Sequence, residues 1–151
     1  MQSRPFGVAV DYAHTPDALE KVYTELSAPR LICVLGSAGG GRDKWKRAAM
    51  GKIAGDHCGV IILTSEDPYD EDPEQILLEI KSGISNVSHT EIIIDRRSAI
   101  REALQRAQSK DVVVITGKGC EQWIMGPLGE KTPWDDREVV REELNELVHN
   151  S

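Results

Sequence analysis

The sequence predicts an α/β fold of three layers: a mostly parallel, doubly wound (Rossmann-like) sheet with helices on both faces. Three observations predict it. Five short apolar runs rich in β-branched residues recur along the chain, and the segments between them carry apolar residues at helical spacing. Glycine-rich and charged clusters follow the C-terminal ends of the runs.

The runs are "FGVAV" (6–10), "LICVL" (31–35), "VIILT" (60–64), "EIIID" (91–95) and "DVVVIT" (111–116). They are nearly continuous instead of alternating, which predicts strands buried on both faces of a parallel sheet. The first helix begins at Thr15-Pro16, a good N-cap followed by a proline whose missing N–H has no partner at that position anyway. Ala18, Leu19, Val22 and Leu26 form its apolar stripe. A second helix begins near Asp43 and runs through "KWKRAAMGKIAG". A third begins at "DPEQILLEI", with Asp72 as cap and Pro73 behind it, and a fourth follows Asp95 in "RRSAIREALQRAQ". The last starts near Asp135 in "DREVVREELNELV". Between residues 117 and 134, "QWIM" and "EKTPW" around "GPLG" predict a small hairpin. Residues 1–151 read as a single domain.

Composition narrows the partners. Net charge is −7, from 18 basic and 25 acidic residues, which argues against a nucleic-acid domain. No apolar stretch approaches the ~20 residues that span a bilayer. The N-terminus has no signal-peptide pattern and enters its first strand almost at once, as an excised domain does. Cys33, Cys58 and Cys120 are an odd set without close spacing, which predicts no disulfide framework and no zinc site, and a reducing cytoplasm. Trp45, Trp123 and Trp134 show no stacking pattern and are expected to pack.

In open α/β sheets, ligands bind outside the carboxyl ends of the strands. The clusters that follow the five runs are "DYAH", "GSAGGGRD", "SEDPYDED", "DRR" and "GKGCE". "GSAGGGRDK" is no P-loop, because Arg42-Asp43 follow Gly41 where Lys-Ser/Thr is needed. Asp43 at a helix start also repels phosphate. The loop is either a flexible connector capped by Asp43 or a loop presenting Arg42 to an anion. In "SEDPYDED", Asp72 is explained as a helix cap, whereas Asp67-Pro68-Tyr69 is not; no histidine accompanies the carboxylates as a metal site would want. In "GKGCE", the glycines allow close backbone approach, and Lys118 and Glu121 are candidate ligands for a substrate. The bland alternative is a tight turn with an incidental ion pair. His14 is either a satisfied loop histidine or a phosphate contact.

Taken together, "VDYAHTPDALEKV", "GSAGGGRDKWKRAAMGKIA", "TSEDPYDEDPEQI", "DRRSAIREAL", "TGKGCEQW" and "DDREVVREEL" resemble, in order and spacing, the C-terminal domain of the Mur ligase family. Within it they look like the branch that synthesises the UDP-N-acetylmuramoyl-tripeptide. The resemblance runs from about Phe6 to about Leu147. It implies a cytoplasmic, ATP- and Mg2+-dependent ligase of peptidoglycan synthesis. Such an enzyme activates the carboxylate of UDP-MurNAc-L-Ala-D-Glu as an acyl phosphate, which an amino acid's amine then attacks. It implies a monomer whose N-terminal domain holds the UDP end. The central domain carries the P-loop, the magnesium ligands and a carbamylated lysine. The present domain, cut from those two, is expected to be inert alone.

The same resemblance implies residue roles. Asp11 would accept hydrogen bonds from the ATP ribose, and His14 would reach the terminal phosphates on domain closure. Arg42 matches an arginine that helps hold a substrate carboxylate. Gly117 and Glu121 match residues that receive the distal amino group of a diamino acid. Where members that add meso-diaminopimelate read D-N-P-R, this chain has Glu66, Asp67, Pro68 and Tyr69, so the arginine that pairs with the distal carboxylate is Tyr69. The family's G-K-G-H-E has Cys120 in place of its histidine. Asp67 and Glu121 without an arginine at 69 suit a side chain ending in a bare ammonium, which implies L-lysine over diaminopimelate. Three other readings compete: a folylpolyglutamate synthetase or another Mur ligase, a free-standing α/β module that senses an amino acid or nucleotide, and a hydrolase using Cys120 and His14.

Overall fold

Five parallel strands form the centre of the molecule: β1 (Gly7–Asp11), β2 (Leu31–Leu35), β3 (Val60–Leu63), β4 (Thr90–Ile92) and β5 (Val112–Thr116), in the order β1-β5-β2-β3-β4. This computed structural model describes residues 6–26, 28–39, 44–85, 89–118 and 123–149. β5 lies between β1 and β2, with Val8 opposite Val113 and Ile32 opposite the same residue.

Helices α1 (Pro16–Glu25), α2 (Trp45–His57) and α3 (Pro73–Lys81) cover one face; α4 (Arg96–Arg106) and α5 (Asp136–His149) cover the other. On the first face Leu19, Tyr23, Met50, Ile76 and Ile80 pack on Cys33, Leu35, Ile61 and Val114. On the second, Ile100, Leu104 and Val139 pack on Ile32, Val34, Ile62 and Ile115. Alternate residues of one strand therefore feed two separate cores. Each fully buried Leu or Ile contributes about 1.5–3 kcal/mol.

The helix starts follow cap chemistry. The Thr15 hydroxyl accepts from Ala18 N, Asp72 from Glu74 N, and Asp95 from Ser98 N. The 117–134 segment contains the predicted hairpin, β6 (Trp123–Met125) and β7 (Lys131–Pro133), antiparallel across a turn at Pro127–Gly129.

Three expectations are corrected. The central strands β2, β3 and β5 are buried on both faces, but β1 and β4 are only half-buried, because each is an edge with one neighbour. The cysteine spacing predicts no disulfide, yet Cys33 and Cys58 are bonded, with Cα atoms 6.2 Å apart. The two cysteines are 25 positions apart, and the end of α2 returns beside β2, a proximity that sequence spacing does not reveal. Trp45 and Trp123 are 69% and 45% exposed instead of packed: one opens α2, and the other lies on a two-stranded hairpin. Only Trp134 is partly buried against a core. No described helix is long and apolar enough to cross a membrane.

Candidate functional site

The C-terminal tips of the strands form one rim. β1 ends at Asp11, whose Oδ1 accepts from Ala13 N at 2.8 Å. That local turn buries Ala13 and turns Tyr12 and His14 outward, with their rings 4.7 Å apart. His14 Nδ1 lies 3.1 Å from the Tyr12 carbonyl oxygen, and the chain then enters α1 through Thr15. Asp11 and His14 are thus exposed at the rim, where the sequence places them.

The loop after β3 is the most constrained part. Pro68 is buried, and Tyr69 is held at φ 54, with its N–H donating to Met125 O and its ring 38% exposed. Asp67 is 8% exposed. Both its oxygens accept from Lys118 Nζ at 2.9 Å, and Oδ1 also accepts from Met125 N at 2.8 Å. Its carbonyl accepts from Gly39 N. Gly39 lies so close that a Cβ there would collide with the Pro68 carbonyl, which is why a glycine occupies that position. Asp70 accepts from Leu128 N, a second tie to the hairpin.

Two buried arginines fix the loops from beneath. Arg47 donates to Glu71, Glu79 and the Ala38 carbonyl, joining the loop after β2 to the start of α3. Arg96 donates to both oxygens of Asp136 at 2.9 and 2.8 Å, to Thr116 O at 3.0 Å and to Ser65 O at 3.3 Å. Trp134 Nε1 completes the cage on Asp136. The rim therefore rests on a dense set of buried polar contacts, although Arg47 Nε has no hydrogen-bond partner.

A second unpartnered buried atom at the rim belongs to Glu66. The residue is 5% exposed, and its Oε2 has no hydrogen-bond partner. Burial pushes its carboxyl up to about 7, opposed by Arg96 and Lys118 and reinforced by Asp67. Gly117, at φ 108, lies directly over that oxygen; a side chain there would collide with it.

Asp11, His14, Asp67, Tyr69 and Gly117 thus share one rim, although Asp67 is already paired. Arg42 and Glu121 lie outside the described residues, as do Asp43 and Cys120 of the capping and hydrolase readings. Sequence reasoning placed Glu66 and Arg96 in the strand-tip clusters but not in their buried roles, and it gave Asp136 none. Only their place beside strand ends could have signalled them. A groove of about 430 Å3 opens at the opposite pole, bordered by Tyr23, Arg30, His57 and Cys58, and none of the predicted site residues lines it.

Comparison with known proteins follows this geometry. Residues 1–119 match the family model described as "Mur ligase, glutamate ligase domain". The chain is 45% identical over 148 residues to the UDP-N-acetylmuramoyl-L-alanyl-D-glutamate–2,6-diaminopimelate ligase of Caldanaerobacter subterraneus, covering 95% of this chain and 30% of that protein. A solved structure of a ligase of the same name superposes with a TM-score of 0.89 at 39% identity, covering 99% of this chain and 31% of the other. The folylpolyglutamate synthase of Mycobacterium tuberculosis, solved with ADP and AMPPCP, shares the fold at 20% identity (TM-score 0.55), covering 73% of this chain and 26% of its own. The chain thus spans about 30% of the length of the curated ligase it matches.

Proposed function

The chain belongs to the Mur ligase family, and on that premise we propose that residues 1–151 are the C-terminal domain of an ATP-dependent amino-acid ligase. The reaction joins a diamino acid, as third residue, to UDP-MurNAc-L-Ala-D-Glu through an acyl phosphate. The observation that carries the reading is the common rim of Asp11, His14, Asp67, Tyr69 and Gly117. A sensing module would not need a nucleotide-facing turn and an amino-acid-facing loop on the same edge.

The division of labour follows. Asp11, exposed at the tip of β1, receives the ribose hydroxyls of ATP, and His14 faces the terminal phosphates. Arg42, Tyr69, Gly117 and Glu121 surround the amino acid. The N-terminal and central domains hold the UDP-MurNAc-dipeptide and the phosphates, and the assembled protein acts as a cytoplasmic monomer. Mg2+, when bound, neutralises phosphate charge. Among the described residues no group of three His, Cys, Asp or Glu is placed to hold a metal ion, so no step here is routed through it.

The relatives' names support diaminopimelate as the third residue. A second reading, lysine, is favoured by Tyr69 at the position of the expected arginine. Half of its electrostatic argument weakens, however, because Lys118 already neutralises Asp67. Amino-acid-dependent ADP release by the full reading frame decides between them. Preference for diaminopimelate supports the first reading and preference for lysine the second. No release with either contradicts the ligase assignment.

A further inference from the structure

Beside the tip of β1, the rim includes four pieces of chain: the loop after β2, the loop after β3, the loop after β5 and the β6–β7 hairpin. They share one knot. Asp67 accepts from Lys118 Nζ of the β5 loop and from Met125 N of the hairpin, while its own carbonyl accepts from Gly39 N of the β2 loop. Lys118 is 1% exposed and Asp67 8%, so neither charge is held by water.

Buried charges of this kind hold position through each other. An unpaired carboxylate or ammonium at this depth is costly, so the two loops stay at the separation the pair requires. Tyr69 stands two residues from Asp67, and its N–H bonds to the same Met125 whose N–H bonds to Asp67. Gly117 immediately precedes Lys118. An ion pair therefore ties together the two loops assigned to the amino acid.

We infer that Asp67 and Lys118 are positioning residues of the amino-acid site: their pairing sets the gap between Tyr69 and Gly117, and neither side chain touches the substrate. The inference rests on the ligase reading above. It differs from the role the family resemblance implies for residue 67, which is a substrate contact.

The test is steady-state kinetics of the full reading frame with Asp67→Asn, Lys118→Gln and the double variant. Asn still accepts from Met125 N but turns its amide toward the Lys118 ammonium. In the double variant, the Gln oxygen meets that amide. The expected result is a tenfold or greater rise in the amino-acid KM for each single variant, with kcat and the ATP KM within threefold. The double variant returns the amino-acid KM to within threefold of wild type. Additive losses in the double variant overturn the inference, because they mean that the side chains bind substrate separately. So does a Lys118→Gln variant with unchanged KM.

Amide hydrogen exchange at Gly39 and Met125 gives a readout independent of turnover and of high yield. Exchange faster in both singles and restored in the double supports the knot; unchanged exchange overturns it. Wild-type protein without amino-acid-dependent ADP release sinks the ligase reading alone, since the exchange arms still decide whether the pair positions the loops.

Discussion

Arg96 binds both oxygens of Asp136 through two hydrogen bonds, at 2.9 and 2.8 Å, and both side chains are buried. The contact joins the first residue of α4 to the first residue of α5, and the same guanidinium reaches the carbonyls of Ser65 and Thr116. The rim is therefore braced from the α4–α5 face by Arg96, as it is from the other face by Arg47 of α2. Arg96→Met leaves the Asp136 carboxylate buried with Trp134 as its remaining side-chain donor. We expect a loss of about 3–5 kcal/mol in urea unfolding of this chain. A loss below about 1 kcal/mol, the level of an exposed pair, would show that Arg96 does not brace the rim.

Glu66 gives stability a pH dependence of known sign. Its carboxyl is raised from 4.5 to about 7 by burial, so between those values the folded chain holds a proton the unfolded chain has released. Stability then falls as pH rises through this window, by about 3 kcal/mol for this group alone. Paired carboxylates such as Glu143, held low by Arg101 and Arg97, act in the opposite direction. The measurement is therefore the difference between wild type and Glu66→Gln across pH 4 to 8. The curves should diverge with rising pH, the variant becoming relatively more stable. Parallel curves would contradict the assignment.

Gly117 and Gly129 separate collision from strain. Both have positive φ, 108 and 76, but an added Cβ meets Glu66 at Gly117 and nothing at Gly129. Ala at 129 should cost about 1 kcal/mol, and Ala at 117 clearly more. Equal losses in thermal unfolding would mean that Glu66 does not lie against Gly117.

The Cys33–Cys58 bond closes a 25-residue separation containing the loop that carries Arg42. Loop entropy puts its contribution at about 3.5 kcal/mol. Reduction should lower the melting temperature of wild type and leave Cys58→Ser unchanged. Equal responses would show that the bond does not form. Such bonds are rare in a reducing cytoplasm, so the same comparison on freshly lysed cells reports its state there.

Local chemistry was legible in the sequence. Thr15, Asp72 and Asp95 announce helix starts because a cap is written within three residues. The apolar runs announce the central strands because parallel sheets bury both faces. What needed the fold was pairing at a distance. Asp67 reads as a free acid until Lys118, 51 residues on, neutralises it. Glu66 reads as one more loop carboxylate until the sheet buries it under Gly117. Cys33 and Cys58 read as unpaired until α2 brings them together. The exposure of Trp45 and Trp123 was hidden for the same reason: no residue pattern says which side of an element lacks a neighbour.

The central claim is that this rim is one half of a ligase site. Amide formation from ATP, UDP-MurNAc-L-Ala-D-Glu and a diamino acid, followed by mass spectrometry, tests it on the full reading frame and on this chain alone. The account predicts tripeptide product from the former and none from the latter. Product from the isolated chain, or its absence from the full reading frame, would contradict it.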